Sequence, residues 1–195
     1  MTHAPASGTT ELVVLLDEDG RAVGTHDKRT VHHADTPLHL AFSCYLFDAD
    51  GRVLLTRRAL HKATFPGVWT NSCCGHPAPG EDLEGAVRRR VRQELGVEVD
   101  DLRLLLPAFR YRAELGGVVE NEMCPVFAGR VRGRVDPDPD EVGDTAWEPW
   151  QPFREAVLDG SREVSVWCHE QVQQLPADPD AAPAAPPGTL PPAAR

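Results

Sequence analysis

Residues 81–97 read Glu81-Asp82-Leu83-Glu84-Gly85-Ala86-Val87-Arg88-Arg89-Arg90-Val91-Arg92-Gln93-Glu94-Leu95-Gly96-Val97, a pattern that predicts a helix over 83–95. Two acids open it, where the positive end of the helix dipole favours negative charge, and Gly96 supplies the stop. At about 100° per residue, Leu83, Ala86, Val87 and Val91 gather into one apolar stripe. Arg88, Arg89 and Arg92 fall on the opposite face and are expected to be solvated. Arg90 and Glu94 fall in the middle of the stripe. Charges there need partners or a metal ion, because unpaired burial is costly.

Around this helix the chain reads mostly as strands. Stretches 11–16, 40–47, 52–56, 102–106, 109–112, 122–131 and 145–150 carry β-type runs, with Asp48-Ala49-Asp50-Gly51 as a hairpin turn. Further helix is expected within 152–158 and 163–175. Mixed strands with one strong helix predict an α+β fold, an αβα sandwich. The folded domain is placed at 11–175. Residues 1–10 are expected to be disordered, as is the tail 176–195, which holds seven Pro and seven Ala in 20 residues.

Of the 195 residues, 41% are hydrophobic and 26% charged, ordinary for one soluble domain that closes a core without disulfides. The net charge of −10 argues against nucleic acid or an anionic membrane surface as partner. No apolar run is long enough to span a bilayer, and the N-terminus carries no secretion signal. Five cysteines, an odd number, fit a reduced, cytoplasmic protein. A monomer is expected.

Three groups of residues carry possible chemistry. Thr70-Asn71-Ser72-Cys73-Cys74-Gly75-His76-Pro77 precedes the helix, with a vicinal thiol pair open to oxidation. Glu120-Asn121-Glu122 puts two carboxylates on one face if extended. His32 and His39 lie upstream. Three histidines (His32, His39, His76) and two carboxylates (Glu120, Glu122) suit a five-ligand site for a borderline divalent ion, Mn²⁺, Zn²⁺ or Mg²⁺.

Gly75, Glu81, Arg89, Glu94, Gly96 and Val97 have the spacing of a Nudix box, but Arg90 and Gln93 occupy two of its acidic positions. One late Glu can hold Mg²⁺ on a diphosphate, yet is poorly equipped for a multi-metal hydrolytic centre. A diphosphohydrolase and a non-catalytic binding module are the competing readings.

The runs His39-Leu40-Ala41-Phe42-Ser43, Arg57-Arg58-Ala59-Leu60, Pro66-Gly67-Val68-Trp69-Thr70-Asn71-Ser72, Cys74-Gly75-His76-Pro77, Phe109-Arg110-Tyr111-Arg112 and Glu120-Asn121-Glu122 occur in this order. Together they resemble the type I isopentenyl-diphosphate isomerases, over roughly 11–175. The resemblance implies a Nudix-like fold and interconversion of isopentenyl and dimethylallyl diphosphate, in isoprenoid synthesis. It implies Glu122, with Tyr111 beside it, as proton donor and the Cys74 thiolate as base. His32, His39, His76, Glu120 and Glu122 become metal ligands. Lys28, Arg58, Lys62 and Arg90 become diphosphate contacts, Glu94 holds a diphosphate-bound Mg²⁺, and Trp167 stabilises a carbocation.

Overall fold

The computed structural model describes residues 11–195. The expected disorder of residues 1–10 lies outside the described residues. In chain order the elements are β1 Leu12–Leu16, β2 Ala22–Asp27, β3 His39–Leu40, β4 Phe42–Phe47, β5 Arg52–Arg58, β6 Trp69–Thr70, β7 Cys73–Gly75, α1 Leu83–Leu95, β8 Glu98–Leu106, β9 Arg110–Leu115, β10 Val118–Met123, β11 Val126–Arg132, β12 Val142–Pro149, α2 Trp150–Leu158 and α3 Val166–Gln174.

The strands form two sheets. One runs β2-β1-β3-β10-β9, and the other runs β12-β5-β4-β11-β8, with β6 beside β5 and β7 beside β4. Two segments are shared. Residues 40–47 were expected as one strand; the chain instead leaves the first sheet after Leu40 and enters the second at Phe42. Residues 118–132 make the same passage at Cys124-Pro125. The two segments travel together as parallel neighbours, Glu122 opposite His39 in one sheet and Phe127 opposite Cys44 in the other. Bonds from Ala41 N to Met123 O (2.9 Å) and from Ser43 N to Pro125 O (3.0 Å) carry the pairing across the gap.

Strand β4 is buried on both faces, so its alternation decides which residues meet which layer. Phe42, Cys44 and Leu46 pack with Leu83, Val87 and Val91 of α1. Tyr45 and Phe47 pack with Trp150 and Phe153 of α2, Trp167 and Val172 of α3, and Phe109 and Tyr111 of the β9 region. The result is helix, mixed sheet, then two helices, as the sequence predicts.

Helix α1 spans the expected residues. Asp82 caps it by accepting from Gly85 N at 3.0 Å, and Gly96, at φ 65°, donates its N–H to Arg92 O. Its buried residues are Leu83, Ala86, Val87, Arg90, Val91, Glu94 and Leu95, so both charges on the apolar stripe are internal. The expectation of a solvated opposite face holds for Arg92 and fails for its neighbours. Arg89 grips Glu81 with two nitrogens, at 2.7 and 2.8 Å, and reaches His76 O at 3.2 Å; Arg88 binds Val99 O. A guanidinium on a long stem can reach over the edge of a helix, which helical angle alone does not register.

The tail departs from its expected disorder. Arg103 donates to Asp180 O (2.6 Å) and Ala182 O (2.5 Å), Arg130 pairs with Asp180, and Ala185 N bonds Leu104 O at 2.7 Å. Leu190 packs in the α1 layer, and Ala193 N reaches Gly20 O at 3.0 Å. Ala-rich composition offers little apolar surface. The seven prolines offset this by restricting the unfolded chain, which lowers the entropy lost on ordering.

Candidate active site

Most residues singled out in the sequence line one cavity of about 370 Å³: Lys28, His32, Arg58, Lys62, Cys74, His76, Arg90, Glu94, Tyr111, Glu120, Glu122 and Trp167. His39 stands behind the wall, fully buried. The cavity lies where the two sheets are joined. Strands β3, β9 and β10 of the first sheet supply His39, Tyr111, Glu120 and Glu122, while β7 of the second supplies Cys74.

Histidines 32, 39 and 76 with Glu122 bring one donor atom each within 4.8 Å of one another. His76 Nε2 lies 3.0 Å, His39 Nε2 3.3 Å and His32 Nε2 3.9 Å from Glu122 Oε1. His39 Nδ1 sits 2.9 Å from Pro37 O, which can only accept, so Nδ1 carries a proton and a neutral ring aims a lone pair inward from Nε2. His39 Nε2 faces His76 Nε2 at 3.2 Å, and His32 Nε2 is buried without a hydrogen-bond partner. Nitrogen lone pairs converging on a carboxylate oxygen fit a divalent cation of the borderline class.

Glu120, expected as the fifth member, stands beside this group. Tyr111 Oη lies 2.8 Å from both Glu120 Oε2 and Glu122 Oε2. A phenol has one proton to give, so the two contacts need different protonation states. Burial and the neighbouring Glu122 raise Glu120, whereas the histidines overcome burial and hold Glu122 well below the usual carboxylate range. Of the two carboxyls, Glu120 is therefore the one whose surroundings favour the protonated form. Burial also pulls His76 down to about 4, while His39 is raised, its burial outweighed by Glu122.

Cys74 projects from β7 toward the cavity, hydrogen-bonded to Ser43 Oγ (3.3 Å) and Asn71 Oδ1 (3.2 Å). Burial pushes its thiol up to about 12, which favours the thiol at rest over the thiolate that the resemblance implies as base. Cys73 packs with α1 in the layer beyond the sheet. Successive strand residues face opposite ways, so a vicinal disulfide would require β7 to rearrange. All five cysteines are free.

The cations are distributed around the mouth. Arg58 donates to Thr64 O (3.0 Å) and Thr64 Oγ1 (2.7 Å), with its guanidinium 5.9 Å from the Trp167 ring centroid. Lys28 binds Glu11 at 2.7 Å. Arg90 pairs with Glu94 and lies 3.3 Å from Glu141, which also binds Lys62. Glu141 and Asn71 were not among the expected site residues. Glu141 ends the run Asp136-Pro137-Asp138-Pro139-Asp140, which resembles any acidic loop. Its distinguishing feature is tertiary: Asp136 N and Asp138 N bond the carbonyls of Leu95 and Glu94, docking the loop on the end of α1.

Trp167 is buried, its centroid 5.5 Å from Tyr111 and 5.1 Å from Phe65, and it gives the cavity an aromatic wall. No helix among the described residues is long and apolar enough to cross a membrane.

The chain is similar to known proteins over most of its length. Residues 37–175 match the NUDIX domain family. A protein of Mycolicibacterium vanbaalenii named isopentenyl-diphosphate Delta-isomerase is 65% identical over 174 residues, covering 89% of this chain and 96% of that one. One of the same name from Saccharopolyspora erythraea is 55% identical, covering 94% and 97%. Among solved structures, DR0079 of Deinococcus radiodurans aligns with a TM-score of 0.65 at 19% identity, over 85% of this chain and 99% of that one. The MutT protein of Methanosarcina mazei aligns with a TM-score of 0.55 at 23% identity, over 70% and 91%. These two share the fold, and the fold, the identity and the extent of the matches together place the chain in the NUDIX domain family and, within it, among the isopentenyl-diphosphate Delta-isomerases.

Proposed function

We propose that the chain interconverts isopentenyl diphosphate and dimethylallyl diphosphate by adding a proton at one end of the allylic system and removing one from the other. Glu122 and Cys74 are the two proton-transfer groups. The observation that carries this reading is the shared cavity: a carboxyl and a thiol from different sheets face the same space, between an aromatic wall and cationic side chains that include Lys28, Arg58, Lys62 and Arg90.

The alkene is unactivated, so protonation creates a tertiary cation that water would capture. Trp167 and Tyr111 exclude water, and the π face of Trp167 contributes about 2 kcal/mol or more toward a desolvated cation. Lys28, Arg58, Lys62 and Arg90 receive the diphosphate, and Arg90 and Lys62 exchange part of their pairing with Glu141 for phosphate oxygens. His32, His39, His76 and Glu122, with Glu120 adjacent, would hold a divalent ion, which supplies Lewis-acid polarisation of the Glu122 carboxyl. Glu94 would hold a Mg²⁺ ion that arrives with the diphosphate.

Forward turnover begins with Glu122 protonated and Cys74 ionised, and ends with a carboxylate and a thiol. The latter is the state that the surroundings of both groups favour. Each turnover must then be reset by proton exchange with solvent, so deuterium from D₂O enters the product. We place this activity in the cytoplasm, in a monomer, supplying isoprenoid synthesis.

Incubation with isopentenyl diphosphate and Mg²⁺ in D₂O, followed by ¹H and ³¹P spectra, tests the reading. Deuterated dimethylallyl diphosphate with the diphosphate intact is expected. Phosphate release without isomerisation would assign a hydrolase, and no change with metal loaded and thiols reduced would leave a binding module.

A further inference from the structure

Beneath the cavity lies a buried polar chain that reaches the Cys74 sulfur from helix α3. Its direction follows from groups that can only give or only take a proton. Asn71 Nδ2 donates to two carbonyls, Cys44 O (3.1 Å) and Cys73 O (3.0 Å), which fixes the amide. Asn71 Oδ1 therefore faces Trp167 Nε1 (3.2 Å), Thr70 Oγ1 (2.8 Å) and Cys74 Sγ (3.2 Å), and accepts from each. The single thiol proton of Cys74 is thus committed to Asn71.

That commitment settles the next contact. Ser43 Oγ lies 3.3 Å from Cys74 Sγ, and with the thiol proton already placed, Ser43 must be the donor. Having given its proton, Ser43 can only accept from Gln171 Nε2, 2.9 Å away. Gln171 Oε1 in turn accepts from Tyr45 Oη at 3.0 Å. Cys124 Sγ, 3.4 Å from Ser43 Oγ, completes the surroundings of the hydroxyl by donating to its second lone pair. Ser43, Tyr45, Asn71, Gln171 and Cys124 are all buried, so water does not replace these bonds.

We infer that Gln171, acting through Ser43, is a positioning residue for Cys74: it directs the Ser43 hydroxyl proton onto the sulfur and holds the sulfur between one donor and one acceptor, facing the substrate cavity. This inference rests on the assignment of Cys74 as a proton-transfer group. It also explains why a polar glutamine sits wholly buried on an otherwise apolar face of α3, beside Trp167, Cys168 and Val172. With the opposite amide orientation, Ser43 would give its proton to Gln171 and the sulfur would have no donor.

The test compares Gln171→Met, which keeps volume and removes both bonds, with Gln171→Glu, whose protonated carboxyl keeps one acceptor for Tyr45 and one donor for Ser43. Gln171→Met is expected to lower kcat about tenfold with KM for isopentenyl diphosphate within twofold, and Gln171→Glu to restore most of the loss. The infrared S–H stretch of Cys74, isolated by difference from Cys74→Ser, is expected to move in Gln171→Met and return in Gln171→Glu. An unmoved band, an unchanged or raised kcat, or a loss confined to KM overturns the inference. Should Gln171→Met fail to fold, Ser43→Ala carries the same expectations, and an unmoved band with unchanged kcat there overturns it equally. Full activity in Cys74→Ala would sink the proton-transfer assignment by itself, whereas the S–H band still reports whether Gln171 governs the sulfur.

Discussion

At the scale of single residues, the proposed chemistry rests on Cys74 and Glu122, and each has its own expected loss. Removing a positioned acid or base costs roughly 10²–10⁴-fold in rate. Cys74→Ala and Glu122→Gln are therefore each expected to lower kcat by about that factor, with diphosphate intact and circular dichroism unchanged. The ¹H signals of dimethylallyl diphosphate measure the loss, and near-wild-type turnover in either variant would remove that residue from the mechanism. The histidine cluster sets a pH dependence. Burial lowers His76 from 6.5 to about 4, so between those values the unfolded chain binds a proton that the folded chain does not. Its contribution to stability is present above about 6.5 and is lost as pH falls toward 4. His39, raised by Glu122, pulls the other way, so the comparison has to isolate His76. In metal-free protein, urea midpoints are expected to rise less steeply from pH 4 to 6.5 in His76→Asn than in the wild type; equal slopes would refute it. The cavity residues were legible because their motifs are distinctive. The buried chain through Ser43, Asn71 and Gln171 was not, since Ser, Asn and Gln become informative only once burial removes water as their partner.

At the scale of elements, α1 was readable to the residue, as its stripe, its Asp82 cap and its Gly96 stop all point to the same boundaries. Gly96 adopts φ 65°, and an added Cβ would meet Asp136 O at 3.0 Å. Gly96→Ala is expected to destabilise the protein by about 1–2 kcal/mol, from left-handed strain and crowding of the loop that carries Glu141. Chemical denaturation measures this, and a difference within error would show the loop yielding freely. Other elements were hidden for identifiable reasons. The hairpin of β9 and β10 turns at Gly116-Gly117, both at positive φ, so its strands run on through 113–115 and 118–121, beyond the expected stretches 109–112 and 122–131. Strand β2 is largely exposed and polar, with no apolar alternation to reveal it. The break between β3 and β4 falls inside the continuous apolar run Leu40-Ala41-Phe42, and a change of sheet leaves no mark on hydropathy.

For the whole molecule, the helix–sheet–helix arrangement followed from the pattern, while the path of the last 20 residues did not. That segment runs from Trp150, which donates to Ala177 O at 2.8 Å, past β8, to the turn at Gly20. Ending the chain at Leu175 removes Leu190 from the α1 layer, along with the bonds of Arg103 and Arg130. A loss of about 2 kcal/mol in stability is expected from the leucine burial. No tail residue lines the cavity, so turnover per folded molecule should stay within twofold. Calorimetry paired with the isomerisation assay checks both, and a truncated protein as stable as the whole would show the strap to be ornamental. The order of the site along the chain has a consequence for synthesis. His32, His39, His76 and Glu122 are all translated well before α3, so a growing chain contains the entire histidine–carboxylate group while Trp167 and Gln171 have yet to be made. Until the ribosome delivers α3, the nascent domain holds the histidine–carboxylate group without the aromatic wall that Trp167 gives the cavity, so the last helix to be made is the one that finishes enclosing the site.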